Sequence, residues 1–313
     1  MKRHLRTALA FFGILLLLAI GLRHFALRWY PLTGPALLAA NGQARILVVG
    51  SSHGEELSAC LFPEPTFNVS SAGADMFEMC YKIRYVTKRL PSIANVVIVL
   101  SPFSYFLDHA AYYRANFHGL AGIRTTLYAQ YPGWELISSD LDNFIVGKLY
   151  PLVTPDNWAE CLYSDDEAPP ERTVGLDDHA RERTEEMFGD MFKRMETAYD
   201  GVIADDSAAL LERTIRELRA RDIRVALLTP PYWHRYVELL DPAHTRIAQR
   251  LTREISRRTG APYLDYALDS RFSFTPAMFR DSDHLSEAGV ARFVPLFMQD
   301  WNAGRTTRSE GGN

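Results

Sequence analysis

Two short segments far apart in the sequence contain the residue types that nucleophilic catalysis requires. Residues 50–54 read GSSHG and follow an apolar run, and residues 280–289 read RDSDHLSEAG and precede the last predicted helix. A serine hydroxyl becomes a nucleophile when an imidazole takes its proton, and a carboxylate on the other ring nitrogen orients that imidazole. Ser52, His284 and Asp281 supply these groups, and the spacing of Asp281 and His284 allows them to meet within one loop. The pattern predicts acyl chemistry through a covalent serine intermediate.

Neighbouring residues compete for these roles, and each segment also has an ordinary structural interpretation. A serine ahead of a helix is a common N-cap, and a histidine at a helix start can simply bond to the backbone. Asp283 is an alternative to Asp281 as the orienting acid, although the D-x-x-H spacing favours Asp281. His53 is a candidate for orienting the substrate or acting as a second base.

The rest of the chain alternates short apolar runs with amphipathic segments. Such alternation predicts an α/β fold, a three-layer sandwich with a parallel sheet and helices on both faces. Ligands bind beyond the carboxyl ends of the strands in such sheets, which is where residues 50–54 fall. The predicted strands are 45–50, 66–69, 95–101, 224–229 and 262–266, and the predicted helices are 75–90, 205–221, 242–259 and 287–301.

Together these features resemble the SGNH/GDSL hydrolase superfamily. Residues 50–52 (GSS) match its first block, with a serine in the usual aspartate position, and Asp281-x-x-His284 matches its last block. Residues 69–73 (VSSAG) follow the second strand, where the family places an oxyanion glycine. The resemblance covers residues 45–101 and 224–301. It implies that Ser52 is the nucleophile and that the N–H groups of Ser52 and Gly73 bind the oxyanion.

The third block of the family, G-x-N-D after the third strand, is absent. Residues 101–104 (SPFS) stand there, so Ser101, Ser104 or another side chain would replace the asparagine donor. Three features distinguish the chain from the secreted lipases of the superfamily: this turn, the GSS block and the Pro230-Pro231 strand end. They are more similar to a membrane-anchored branch of DltD-like proteins and alginate-type polysaccharide O-acetyltransferases. That similarity implies acyl transfer to cell-surface polymers in partnership with a membrane-bound acyltransferase. Apart from this similarity, we expect no cofactor and no metal, because the sequence contains no motif for either.

The charge and hydropathy pattern of the N-terminal segment predicts a membrane anchor. Lys2, Arg3 and Arg6 precede an apolar run over residues 7–22, and early cations favour a cytoplasmic N-terminus. We expect a single-pass anchor over residues 1–30 in the inner membrane and a periplasmic catalytic domain, with a cleaved signal peptide as the alternative. Residues 31–44 read as a linker, 45–302 as the α/β domain and 303–313 as a disordered tail.

A long insertion, residues 103–204, follows the third predicted strand. Thirteen aromatic residues fall between positions 103 and 163. They either fill the core of a small subdomain or form a platform for sugar rings or an acyl chain.

Composition excludes several classes of protein. The net charge is −4 over 313 residues, and residues 1–30 carry five basic residues and no acid, which leaves −9 for the remainder. Nucleic-acid binding depends largely on neutralising phosphates, so an acidic body argues against it. No zinc-type cysteine spacing, H-E-x-x-H, dinucleotide or P-loop motif occurs. Cys60 and Cys80 are either a disulfide or buried thiols.

The sequence therefore predicts membrane-anchored, serine-dependent acyl transfer or ester hydrolysis. The predicted substrate is an acylated cell-surface polysaccharide or lipid. The alternative is a non-catalytic glycan-binding or assembly protein with the same fold.

Overall fold

The computed structural model describes residues 34–106 and 201–304, apart from 241 and 282, together with residues 13, 14 and 17. In these parts, strands and helices alternate along the chain. Two short 3₁₀ turns, Ala59–Leu61 and Pro276–Met278, lie between them. The strands are β1 (Ile46–Val49), β2 (Thr66–Asn68), β3 (Asn95–Val99), β4 (Arg224–Thr229) and β5 (Tyr263–Asp265), and the helices are α1 (Gly34–Ala40), α2 (Ser52–Glu55), α3 (Met76–Arg89), α4 (Gly201–Arg219), α5 (His234–Leu239), α6 (Pro242–Thr259) and α7 (Glu287–Asn302).

The five strands form one parallel sheet in the order β2-β1-β3-β4-β5. The strand order reverses between β1 and β3, and a crevice opens beyond the carboxyl ends of the strands at such a point. The prediction of an α/β fold with a parallel sheet is confirmed. The turn that begins at Gly50 therefore leaves β1 at the edge of this crevice.

Alternate residues of the strands face two separate cores. Leu47 and Val49 of β1 pack into a core that is covered by α1, α3, α4 and α6. Ile46 and Val48 pack into a second core, which α7 covers with its aromatic residues. Because both faces of the sheet are covered, the described part of the chain has three layers.

Residues 34–40, inside the predicted linker, form helix α1. Leu38 is buried in the first core, and Leu37 packs against it. Pro35 lies in the first turn, where a proline is compatible with a helix. The apolar contacts of Leu37 and Leu38 therefore hold this part of the predicted linker against the first core as a helix.

Several predictions fall on residues that the structure does not describe. Of the predicted anchor over residues 1–30, only residues 13, 14 and 17 are described, and all three are helical. The insertion 103–204 is described only at its ends, and the tail only at 303 and 304. Among the described helices, none is both long enough and apolar enough to cross a membrane.

Cys60 and Cys80 are free thiols, so the disulfide considered from the sequence does not form. Cys60 is exposed and Cys80 is buried. Burial raises the pKa of the Cys80 thiol to about 11, which keeps it protonated and unreactive at neutral pH.

Gly50 allows the close approach of β1 and β3 just before the turn. A Cβ at this position would lie 2.7 Å from Cβ of Val99 and 3.0 Å from the Val99 carbonyl oxygen. Because the carbonyl belongs to a central strand, the neighbouring backbone cannot move away easily.

We predict that Gly50→Ala lowers the free energy of unfolding by about 1–3 kcal/mol, because an extra methyl group overpacks a dense core. Urea denaturation measures this change. The matched control is Gly42→Ala, where the nearest atom to the new Cβ is 3.4 Å away. Equal stability of the two variants would contradict the packing argument.

Candidate active site

Ser52 is the first residue of the short helix α2, directly after the β1 turn. The N-cap of this helix is Ser51, whose side chain makes no capping bond. The hydroxyl of Ser52 is therefore not used as a helix cap, which was its ordinary structural interpretation. It is available for contacts across the crevice.

The loop that carries His284 is held in shape by its own hydrogen bonds. The Asp281 carboxylate accepts the backbone N–H of Asp283 at 3.1 Å and that of His284 at 2.8 Å. An antiparallel bridge joins Phe279 and Leu285 on either side of the turn. Ser286 caps α7 by accepting the N–H of Gly289.

The structure brings Ser52, His284 and Asp281 together, although 232 positions separate the serine from the histidine. Nε2 of His284 lies 2.9 Å from Oγ of Ser52. On the other side of the ring, Nδ1 of His284 lies 3.0 Å from both carboxylate oxygens of Asp281. A hydroxyl, an imidazole and a carboxylate in this order can pass a proton from oxygen to nitrogen and stabilise the resulting imidazolium.

Asp283 is a second carboxylate on the same imidazole. Its Oδ1 lies 3.3 Å from Nδ1 of His284, and its Oδ2 lies 3.2 Å from Nε2 of His53. The rings of His53 and His284 stack with their centroids 4.8 Å apart. The sequence suggested that His53 orients substrate or acts as a base. In the structure, however, His53 is buried and bonds to Asp283.

These contacts shift the proton affinity of the imidazole. Burial disfavours the charged form of His284, but the hydrogen bonds that its ring donates to Asp281 and Asp283 outweigh burial and raise its pKa to about 10. Burial also disfavours the carboxylate of Asp283, yet hydrogen bonds with His284 and His53 hold the pKa of Asp283 well below its ordinary value. The site therefore stabilises an imidazolium next to Ser52.

Glu56 links the segment after Ser52 to the loop that carries His284, and no sequence motif indicated this role. Its Oε2 accepts the backbone N–H of Leu285 at 3.1 Å, and its Oε1 lies 2.5 Å from the guanidinium of Arg280. Burial raises the pKa of Glu56 to about 8. The side chain thus ties the segment after α2 to the loop that holds His284.

Asn68, the last residue of β2, forms hydrogen bonds with the segment that follows Ser52. Its amide donates to the carbonyl oxygens of Gly54 at 2.8 Å and Leu57 at 3.0 Å, and its carbonyl oxygen accepts the N–H of Ser70. One side chain thus fixes the segment after Ser52 to the segment after β2.

Gly73 follows β2 in a turn that runs beside the end of β1. The N–H of Ser71 donates to the Gly50 carbonyl at 3.2 Å, and Gly73 has a φ of +71°, which favours glycine. A buried network holds this turn: Ser71 Oγ donates to Glu78 at 2.7 Å and accepts from Lys82 at 2.8 Å. Lys82 and Glu78 pair at 2.7 Å.

Ser101, the candidate replacement for the missing asparagine donor, is engaged within its own turn. Its N–H donates to Oγ of Ser104 at 2.9 Å, and the two hydroxyls lie 3.2 Å apart. Both residues are buried. Ser101 lines a cavity of about 710 Å³ beyond the ends of β3, β4 and β5, at the edge of the sheet that the sequence predicted for ligand binding.

His53, Asp283 and His284 are also the described residues whose ligand atoms lie close enough together, within 4.8 Å, to be considered for a metal ion. Direct hydrogen bonds between these side chains already account for this proximity. The cluster by itself therefore gives no reason to invoke a metal.

The chain matches no family model, and no curated protein matches its sequence. Solved structures do resemble it. A protein described as an acylhydrolase from Bacteroides fragilis is 15% identical with a TM-score of 0.43, covering 90% of this chain and 96% of its own. A GDSL-like lipase from Bacteroides thetaiotaomicron is 12% identical with a TM-score of 0.41, covering 90% and 97%. A catalytic mutant of Axe2, an acetylxylan esterase from Geobacillus stearothermophilus, is 11% identical with a TM-score of 0.39, covering 82% and 92%.

We predict that Asp281→Asn lowers the pKa of His284, because the neutral amide no longer stabilises the imidazolium. Titration of the imidazole by NMR measures this pKa. The control is Glu212→Gln, which removes a carboxylate that pairs with Arg216 and Arg258 on the surface. An unchanged His284 titration in Asp281→Asn would contradict the assignment of Asp281 as its partner.

We predict that Lys82→Met lowers the free energy of unfolding by about 3–5 kcal/mol, because it leaves the buried Glu78 carboxylate without its cation. Denaturant titration measures the loss. The double variant Lys82→Met/Glu78→Gln removes both charges and is expected to recover most of the stability. A double variant as unstable as the single one would show that the charge pair is not the cause.

Proposed function

We propose that this chain is an SGNH-type serine enzyme that forms an acyl-enzyme and acts on esters by hydrolysis or acyl transfer. The observation that carries the proposal is the continuous contact from Ser52 through His284 to Asp281, at 2.9 Å and 3.0 Å. These distances lie within hydrogen-bond reach, which a base and its nucleophile require. The resemblance of the sequence blocks to the superfamily supports the same conclusion.

The first half of the reaction follows from this geometry. Oγ of Ser52 attacks the ester carbonyl carbon while Nε2 of His284, in molecules whose imidazole is neutral, takes the hydroxyl proton. Because the pKa of His284 is raised, the fraction of molecules with this neutral imidazole increases with pH. Asp281, at Nδ1, stabilises the imidazolium. The imidazolium then gives its proton to the leaving alcohol as the ester bond breaks, and the acyl group remains on Ser52.

The developing oxyanion needs donors close to Ser52. We assign this role to the backbone N–H groups of Ser52 and Gly73. The hydrogen bond from Ser71 to Gly50 keeps the Gly73 turn beside the Ser52 turn. Glu78 and Lys82 both bond to the hydroxyl of Ser71 in that turn. These bonds hold the backbone N–H donors in place before the substrate binds.

The second half of the reaction decides between esterase and transferase. Water on the acyl-enzyme completes hydrolysis, whereas a sugar hydroxyl completes transfer, with His284 acting as the base in both cases. We favour transfer to a cell-surface glycan or lipid, by similarity to the DltD-like and alginate-type branch. In this proposal residues 1–30 anchor the enzyme in the inner membrane, and a membrane-bound acyltransferase supplies the acyl group to the periplasmic domain.

A non-catalytic glycan-binding protein with this fold is the second candidate. It is favoured by the missing asparagine block and by the contact of the Ser101 hydroxyl with the Ser104 hydroxyl at 3.2 Å, which already engages the candidate replacement. The two candidates differ in whether Ser52 is chemically reactive.

We predict that an active-serine fluorophosphonate probe labels the folded protein at Ser52, because His284 removes the proton of that hydroxyl. Labelling is measured by fluorescence after electrophoresis and located by peptide mass spectrometry. Ser52→Ala is expected to abolish labelling. The control Ser58→Ala, which removes an exposed hydroxyl six residues further on, keeps it. A folded protein that is not labelled would favour the glycan-binding candidate.

A further inference from the structure

A second carboxylate–imidazole pair lies beside the first, and the proposed reaction does not use it directly. Asp283 bridges two stacked rings through separate oxygens, with Oδ1 facing His284 and Oδ2 facing His53. The rings are inclined by 22°. His53 is buried, and Tyr232 packs edge-on against it with the ring centroids 5.1 Å apart, so the described contacts of this ring are with its protein neighbours.

The surroundings of His53 determine which of its nitrogens carries the proton. Its Nδ1 is buried and has no hydrogen-bond partner among the described residues. A protonated Nδ1 would be a buried donor without an acceptor, which costs more than a bare nitrogen. The form with a proton on Nε2 and none on Nδ1 is therefore favoured, and its Nε2 donates to Oδ2 of Asp283.

The two carboxylates on His284 differ in solvent exposure. The side chain of Asp281 is 42% exposed, whereas that of Asp283 is 6% exposed. Solvent screens the charge of Asp281, while a buried charge acts more strongly on its neighbour. A buried carboxylate stays ionised only when donors satisfy its oxygens, and His53 supplies one of them.

We propose that His53 is a positioning residue that acts through Asp283. By donating to Oδ2, it keeps the buried carboxylate ionised and fixes its Oδ1 toward Nδ1 of His284. The imidazole is then oriented by two carboxylates, one exposed and one buried. This inference rests on the proposed function of Ser52 and His284 and gives His53 and Asp283 a role in the same site.

Other charged groups face this cluster and are kept constant in the test. Glu56 and Arg280 lie on the side of the loop that contacts the segment after α2. Asp281 contacts His284 directly. The phenol of Tyr232 lies against His53, and burial raises its pKa well above the ordinary value, so it stays neutral.

The test compares His53→Gln with His53→Leu. Glutamine places an amide donor near the position of Nε2, whereas leucine has none. We expect the rate of fluorophosphonate labelling of Ser52 to fall about 10-fold or more in His53→Leu, by analogy with the loss when the hydrogen-bond partner of a metal-binding histidine is removed. His53→Gln is expected to stay within about threefold of the wild type, since it restores the donor.

A second measurement follows Asp283 itself. Titration of its carboxyl carbon by NMR is expected to show a higher pKa in His53→Leu, because the carboxylate loses a donor, and an unchanged one in His53→Gln. In an Asp283→Asn background, His53→Leu is expected to cause no further loss of labelling. His53→Phe, which keeps a stacked ring without a donor, replaces His53→Leu if the leucine variant does not fold.

The inference is overturned if labelling and the Asp283 titration are the same in His53→Leu and the wild type. It is also overturned if His53→Leu causes its full loss in the Asp283→Asn background. Failure of the proposed function gives a different result: the wild type is not labelled at Ser52, while the Asp283 titration still responds to His53.

Discussion

The hydrogen bond between Ser52 and His284 is the contact on which the rest of the site depends. It joins two loops that are 232 positions apart in the sequence. Its geometry therefore depends on the elements that position Ser52 and His284. The parallel sheet positions Ser52, because this residue follows β1 at the point where the strand order reverses. The loop before α7 positions His284, and Glu56 links this loop to the segment after Ser52 by accepting the N–H of Leu285.

This arrangement concentrates charge in a small volume. Asp281 and Asp283 both face Nδ1 of His284, and Asp283 is buried. Removing carboxylates from water is costly unless hydrogen bonds replace the lost hydration. The bonds from His53, His284 and the loop backbone meet this need. The same bonds restrict the loop, so a single set of contacts both satisfies the charges and orients the imidazole.

The sequence contained the information for the scaffold but only part of the site. β1, β3 and β4 are continuous apolar runs whose burial on both faces could be predicted, and the D-x-x-H spacing indicated that Asp281 faces His284. The pairing of His53 with Asp283 could not be predicted, because it depends on how two loops meet in space. Helix α1 was missed because its stability comes from burial of Leu38 against distant residues.

The most direct test of the account is to trap the acyl-enzyme. The protein is mixed briefly with p-nitrophenyl acetate, quenched in acid and analysed as intact protein and as peptides by mass spectrometry. The account predicts a transient increase in mass of one acetyl group, located on the peptide that contains Ser52. No acetylated protein, or acetylation at another nucleophile such as the exposed Cys60, would contradict it.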